Sequence, residues 1–269
     1  MAHVDGIQGD PLILDGADLV EKLRELADAQ PSGLLAFDGD GTLWSGDVGE
    51  DVFHAAVGQS LLREEPLAAL RREAEAHGFS STGDSNEIAK RLFDAYLEHR
   101  YPERDVCAMM TWCYAGMQRA ELSALATQTF AARGLSQRLH RELEPVFDFA
   151  RARGLRTLVV SASPQPIVET AAQQWQLAAG DIIASRAAEQ GGVILDRLGT
   201  PVPYADGKPK ALRALVPNAH LLAAFGDNAF DVELFQAAEL AVAVRPKPAL
   251  RRRFGEVKRL CVLAQPPAP

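Results

Sequence analysis

Reactive side chains follow short apolar runs at three places in this chain. Asp38-Gly39-Asp40-Gly41-Thr42 follows GLLAF, Ser161-Ala162-Ser163 follows LRTLVV, and Gly226-Asp227-Asn228-Ala229-Phe230-Asp231 follows HLLAAF. If the runs are neighbouring strands, their carboxyl ends bring aspartates and hydroxyls into one crevice. Carboxylates so crowded repel one another unless a cation neutralises them, and an all-oxygen donor set suits Mg²⁺. Mg²⁺ keeps some waters, takes one or two carboxylates and shares phosphate oxygens, so the pattern points to phosphoryl chemistry, with Asp38 and Asp227 as the natural ligands. A transferring phosphoryl group also needs a positive charge that leaves the metal positions free. Ala205-Asp206-Gly207-Lys208 offers Lys208, with Lys210 as the competitor. Gly39 and Gly41 stand where backbone N–H groups must approach an anion and side chains would obstruct.

The elements that position these groups are legible as periodicity. Apolar runs at 33–42, 155–163, 220–228 and 239–246 lack polar alternation, as expected of parallel strands covered on both faces. The amphipathic segments DLVEKLRELADA, RLHRELEPVFDFARARG and KPKALRAL precede the first three runs, which predicts an α/β fold with an open sheet. From Trp44 to Leu135 there is no strand pattern, only helical stretches such as SNEIAKRLFDAYLEHR and RAELSALATQTFAARG. That length exceeds any ordinary βα connection and predicts a helical cap at 46–135, inserted into a core formed by 1–45 and 136–269. Gly191-Gly192 between β-branched residues predicts a hairpin at 182–197, and the AQPPAP tail is expected to fray.

With these motifs in view, the chain resembles the haloacid dehalogenase superfamily of aspartate-nucleophile phosphatases, and within it the phosphoserine-phosphatase-like branch with a helical cap after the first strand. FDGDGTLW, VVSAS, ADGKPKAL and GDNAFDVELF match the four motifs in order. The resemblance implies a Rossmann-like, doubly wound, mostly parallel sheet and a Mg²⁺-dependent phosphomonoesterase acting on a small phosphorylated metabolite. It implies that Asp38 attacks phosphorus and forms an aspartyl-phosphate, and that Asp40 acts as acid and then base while its backbone carbonyl binds the metal. Thr42 and Ser161 would hold phosphate oxygens, Lys208 would bridge phosphate and nucleophile, Asp227 would ligate the metal, and Asp231 would orient Lys208 from behind. Asp40 argues against dehalogenation, which protonates no leaving alcohol. The same motifs serve phosphotransferases that use a sugar or alcohol acceptor, and a non-catalytic phosphate- or metal-binding protein is the alternative outside enzymology.

Specificity is expected on the cap and its hinge, 44–50, with Trp44 and Asp47 as candidates. Phosphoserine phosphatases receive the substrate ammonium on an acid nine positions after the nucleophile, which is Asp47 here. Phe230 stands where those enzymes commonly carry Asn, and Arg63, Arg100, Arg104 and Arg119 are the candidates for gripping a substrate carboxylate. Phosphoserine or a related amino-alcohol phosphate is the expected substrate.

Composition sets the outer bounds. The chain carries 28 Lys and Arg against 36 Asp and Glu, a net charge of −8, so it offers no footprint for nucleic acid. Cys107, Cys113 and Cys261 are not spaced as metal ligands, the acidic N-terminus does not read as a secretory signal, and no apolar stretch is long enough to span a membrane. A cytoplasmic location is expected, and nothing in the chain specifies an oligomeric state. The six histidines, the cap residues Met109, Met110, Trp112 and Tyr114, and the Arg251–Arg253 cluster read as ordinary surface or core.

Overall fold

The computed structural model describes residues 11–265, so the first ten residues and the last four of the tail lie outside it. In chain order the strands are β1 (Leu12–Leu14), β2 (Leu34–Phe37), β3 (Arg156–Pro164), β4 (Ile182–Ser185), β5 (Ala187–Gln190), β6 (Val193–Leu198), β7 (Leu221–Gly226), β8 (Leu240–Val244) and β9 (Leu260–Leu263). Helix α1 (Gly16–Ala29) precedes β2. Five helices follow that strand: α2 (Val48–Gly58), α3 (Leu67–Ala76), α4 (Ser85–Leu97), α5 (Glu103–Trp112) and α6 (Arg119–Ala132). Then come α7 (Glu144–Arg153), α8 (Gln165–Ala172), α9 (Gly207–Leu215), α10 (Val232–Gln236) and α11 (Pro248–Arg251).

Seven strands form one parallel sheet in the order β1-β9-β8-β7-β2-β3-β4. The α/β class expected from the apolar runs, and the doubly wound, mostly parallel sheet that the resemblance implies, are observed. Those four runs became β2, β3, β7 and β8. The edge strands β1 and β4, and β9 next to β1, carry only three or four residues each, too short to register as periodicity. The hairpin expected at 182–197 is corrected: 182–185 is β4 of the main sheet, and the hairpin comprises β5 and β6 about Gly191-Gly192. Arg186 alone separates β4 from β5, so one β-rich stretch serves two sheets.

Alternate residues of β2 point to opposite faces. Leu35 and Phe37 enter the apolar cluster beneath α1, α7 and the helices at 48–132, while Leu34 and Ala36 enter the cluster beneath α9 and α10. Phe37 stacks on Phe225 at 4.2 Å and on Phe147 at 4.8 Å between ring centroids, pinning the central strands to α7. Helix starts follow the capping expectation: Asp15 caps α1 through the N–H groups of Ala17 and Asp18, and Gly154 ends α7 at φ 65°.

The helices between β2 and β3 are fastened to the rest of the chain by backbone and charge. Residues 116–119 pair with β6 through Gly116 N–H to Ile194 C=O at 2.9 Å and Arg119 N–H to Gly192 C=O at 2.8 Å. Asp51 on α2, nearly buried, accepts from Arg133 at 2.9 Å and Arg138 at 2.5 Å. Among the described residues, no helix is long and apolar enough to cross a membrane.

Candidate active site

Because β3, β2 and β7 are neighbouring parallel strands, their carboxyl ends share one edge of the sheet, at the point where successive connections diverge to opposite sides. Asp38 leaves β2 there, Ser161 lies in the irregular end of β3, and Asp227 leaves β7. Carboxylate oxygens of Asp38, Asp227 and Asp231 lie within 4.8 Å of one another. Lys208, in the first turn of α9 and almost wholly buried, contacts Asp38 Oδ1 and Asp231 Oδ1, both at 2.5 Å. Lys210 points away: it is exposed and pairs with Asp206 at 2.5 Å. Of the two lysines, Lys208 is the one that lies at the carboxylates.

Asp231 uses its other oxygen to accept from the N–H groups of Asp227 at 3.1 Å and Asn228 at 2.9 Å, so one carboxylate orders both Lys208 and the loop that presents Asp227. The Oδ2 of Asp227 meets Lys247 Nζ at 2.9 Å, whereas its Oδ1 is buried without a hydrogen-bond partner. An orphaned buried carboxylate oxygen facing further carboxylates is the environment a hard cation satisfies, so the donor set fits Mg²⁺. Gly41, at φ +87°, is required here, because a Cβ at that position would come within 2.2 Å of Asp227 Oδ2.

Asp40 is oriented by three donors. Trp44 Nε1 and Val48 N–H both donate to Oδ1 at 2.8 Å, and the Ser163 hydroxyl donates to Oδ2 at 2.7 Å. Thr42 is fully buried and donates to Asp38 Oδ2 at 3.2 Å. The Oγ of Ser161 accepts from Ser163 N–H at 3.1 Å, which leaves its own proton for an anion. Beneath these groups His140, one of the histidines with no sequence signal, braces the loop through Thr42 C=O at 2.9 Å and Ser45 Oγ at 2.8 Å.

Electrostatics follow from burial. Burial pushes Asp38 well above the ordinary carboxylate range, and Lys208 is the main opposing influence. Burial alone would lower Lys208, but Asp231 and Asp38 outweigh it and hold the ammonium above its usual value. Asp227 is raised to about 6 by burial and by Asp231, with Lys247 pulling the other way.

These residues floor a cleft of about 90 Å³. Asp47 just before α2, Glu103 and Cys107 of α5, and Tyr204, Phe230 and Lys247 line it as well. Asp47 caps α2 by accepting from Glu50 N–H at 2.8 Å, and burial and Asp40 raise its carboxyl. Burial likewise raises Glu103. The Phe230 ring lies 4.5 Å from that of Tyr204. Trp44, a hinge candidate for substrate selection, is fully buried, does not line the cleft, and meets the site loop through its Nε1–H, which donates to Asp40, and its C=O, which accepts from Gly41 N–H at 2.8 Å. None of the four candidate arginines lines the cleft: Arg63 pairs with Glu121, Arg100 with Glu98, Arg104 with Asp206, and Arg119 with Glu169 and Glu189. Ser163, Glu103, Tyr204 and Lys247 were not singled out from sequence. Ser163 lay inside a motif and Lys247 just past a strand end, while Glu103 and Tyr204 carried no local signal.

Comparison with known proteins agrees with this picture. A family model described as haloacid dehalogenase-like hydrolase matches residues 35–236. Phosphoserine phosphatase SerB2 of Mycobacterium tuberculosis is 36% identical over 107 residues, which cover 38% of this chain and 25% of that protein, so the match spans about a quarter of the relative. Among solved structures, a Bordetella pertussis protein of unknown function superposes with a TM-score of 0.65 at 20% identity, covering 86% of this chain and 97% of that one. A substrate-bound phosphoserine phosphatase complex gives 0.54 at 16% identity, covering 87% and 94%. Those structures share the fold, and the family model spans most of the sequence. The chain belongs to the haloacid dehalogenase-like hydrolase family.

Proposed function

We propose that the protein is a Mg²⁺-dependent phosphomonoesterase that hydrolyses the phosphate ester of a small cationic alcohol through an aspartyl-phosphate on Asp38. The observation that carries this reading is the contact of the buried Asp38 carboxylate with Lys208 at 2.5 Å, on the floor of a cleft that also holds Asp40 and the unpartnered oxygen of Asp227. An Asp38 oxygen bonds to phosphorus as the ester P–O bond breaks, and Asp40 gives a proton to the departing alkoxide. Asp40 then takes a proton from water, whose oxygen bonds to phosphorus as the Asp38–phosphorus bond breaks. Ser161 donates to a phosphate oxygen, and Lys208 opposes the burial that favours the protonated nucleophile and offsets charge on the phosphoryl group. The Asp38 and Asp227 carboxylates with the Asp40 carbonyl would hold Mg²⁺, which supplies neutralising charge for the phosphate.

The character of the alcohol is read from the cap side of the cleft. Asp47 and Glu103 place two carboxyl groups, which a bound cation would draw into the ionised form, beside the aromatic pair Tyr204 and Phe230, and no arginine lines the cleft, Arg104 lying outside it over the Tyr204 ring. That favours phosphoethanolamine- or phosphocholine-like esters over phosphoserine. The test is phosphate release with Mg²⁺ from a panel of amino-alcohol phosphates, phosphoserine, sugar phosphates and an aryl phosphate, with and without an added alcohol acceptor. Cationic esters should lead the ranking. Asp47→Asn and Glu103→Gln should each raise KM for them by about tenfold while leaving that for the aryl ester nearly unchanged. Uniform effects across the panel would contradict the assignment.

Ionisation of Asp227 contributes to the pH dependence of cation binding. Its carboxyl is raised from 3.8 to about 6, so the native state holds a proton that the unfolded chain has released, and without divalent cation this group makes stability fall as pH rises through that interval. A metal ligand must be ionised, and burial raises Asp38 as well, so Mn²⁺ affinity should climb from about pH 5 through about pH 7. Titration of free Mn²⁺ by its electron-spin signal checks this, and a flat affinity across the interval would contradict it.

A further inference from the structure

We propose that Ser163 is a positioning residue for proton transfer, holding Oδ2 of Asp40 as the oxygen that carries the proton; this rests on the reading of Asp40 as acid and base. The two oxygens of Asp40 are held differently. Oδ1 receives Trp44 Nε1–H and Val48 N–H, both at 2.8 Å, and neither donor can accept, so Oδ1 is fixed as an acceptor. Among the described residues Oδ2 has a single hydrogen-bond partner, the Ser163 hydroxyl at 2.7 Å. Oδ2 keeps a lone pair when it bears a proton, so the Ser163 hydroxyl can go on donating to it in both states and leaves the proton itself free for the departing oxygen.

Ser163 is itself fixed. It is 5% exposed, its N–H is committed to Ser161 Oγ at 3.1 Å, and its hydroxyl lies against α2, where a Cβ on Gly49 would come within 2.8 Å of it. Both Ser163 and Asp40 line the cleft. In the first half of the reaction the proton on Oδ2 moves to the alkoxide oxygen as its bond to phosphorus breaks and the Asp38–phosphorus bond forms. The Ser163 hydroxyl then donates to the ionised Oδ2. In the second half Oδ2 accepts a proton from water as the water oxygen bonds to phosphorus and Asp38 is released. Ser163 keeps one oxygen aligned through both transfers, and because Val48 opens α2, Asp40 is also seated against the first helix of the cap.

The experiment compares kcat/KM, which reports only the steps through phosphorylation of Asp38, for phosphoethanolamine and para-nitrophenyl phosphate. Loss of general-acid assistance weakens hydrolysis of the poor alkyl leaving group far more than of the activated aryl one. Ser163→Ala should lower kcat/KM by about tenfold for phosphoethanolamine and no more than about twofold for the aryl ester, with Asp40→Asn giving a larger split of the same sign. Equal losses on both substrates from Ser163→Ala, or no loss on either, alongside a clear split from Asp40→Asn, would overturn the role of Ser163 alone. Absence of a split from Asp40→Asn would overturn the acid reading, and the inference with it.

Discussion

Replacing Asp38 with Asn should reduce kcat/KM for every phosphate ester by about 10⁴-fold or more, because an amide of the same shape cannot form the aspartyl-phosphate. The fold should survive. Burial pushes the Asp38 carboxyl upward, so a neutral isostere removes a charge that is costly to hold there, and Lys208 retains Asp231 as its partner. Phosphate release and thermal unfolding on the same preparation check both halves. Substantial activity in a folded variant would place the nucleophile elsewhere.

Lys208→Met should damage both catalysis and stability. The ammonium is the shared counter-charge of two buried carboxylates at 2.5 Å, and removing one member of such a group costs about 3–5 kcal/mol. The variant should unfold at lower temperature and lose phosphate release by about 10²–10⁴-fold. Its instability carries a pH signature. Without Lys208 nothing comparable opposes the burial that raises Asp38, so the native state binds more protons than the unfolded chain and stability falls as pH rises. The difference from wild type should therefore be greater at about pH 8 than at about pH 5. Equal melting temperatures across that range would show that Lys208 does not hold the pair together.

The central strands were legible because strands buried on both faces read as apolar runs, and parallel strands deliver whatever follows them to one edge. Asp38, Ser161 and Asp227 are brought together by that rule. Lys208 needed more than spacing, since Lys210 lies two residues away, and only the direction of α9 separates them. The outer strands β1, β9 and β4 are too short to leave a periodic signal, and β4 runs into β5 in the sequence because Arg186 is the only break between them. Ser163 was visible as part of a motif, but its use depends on the approach of Asp40 across the sheet. Lys247 belongs to the same strand-end logic, one turn past β8, and Glu103 owes its place to the folding of α5 over the cleft. Arg119 shows the converse. Its charge suited a substrate carboxylate, yet it bridges Glu169 at 2.6 Å and Glu189 at 2.8 Å, tying α6 to α8 and β5. Such partnerships are set by tertiary approach and leave no trace in local sequence.

Covalent trapping is the most direct test of the reaction assigned to this cleft. The enzyme would be quenched in acid during turnover of its best substrate with Mg²⁺, digested, and the peptide containing Asp38 analysed by mass spectrometry. The account predicts a phosphoryl group on that peptide, lost on treatment with hydroxylamine and absent from Asp38→Asn. Sustained turnover with no phosphorylated peptide, together with an active Asp38→Asn variant, would contradict it.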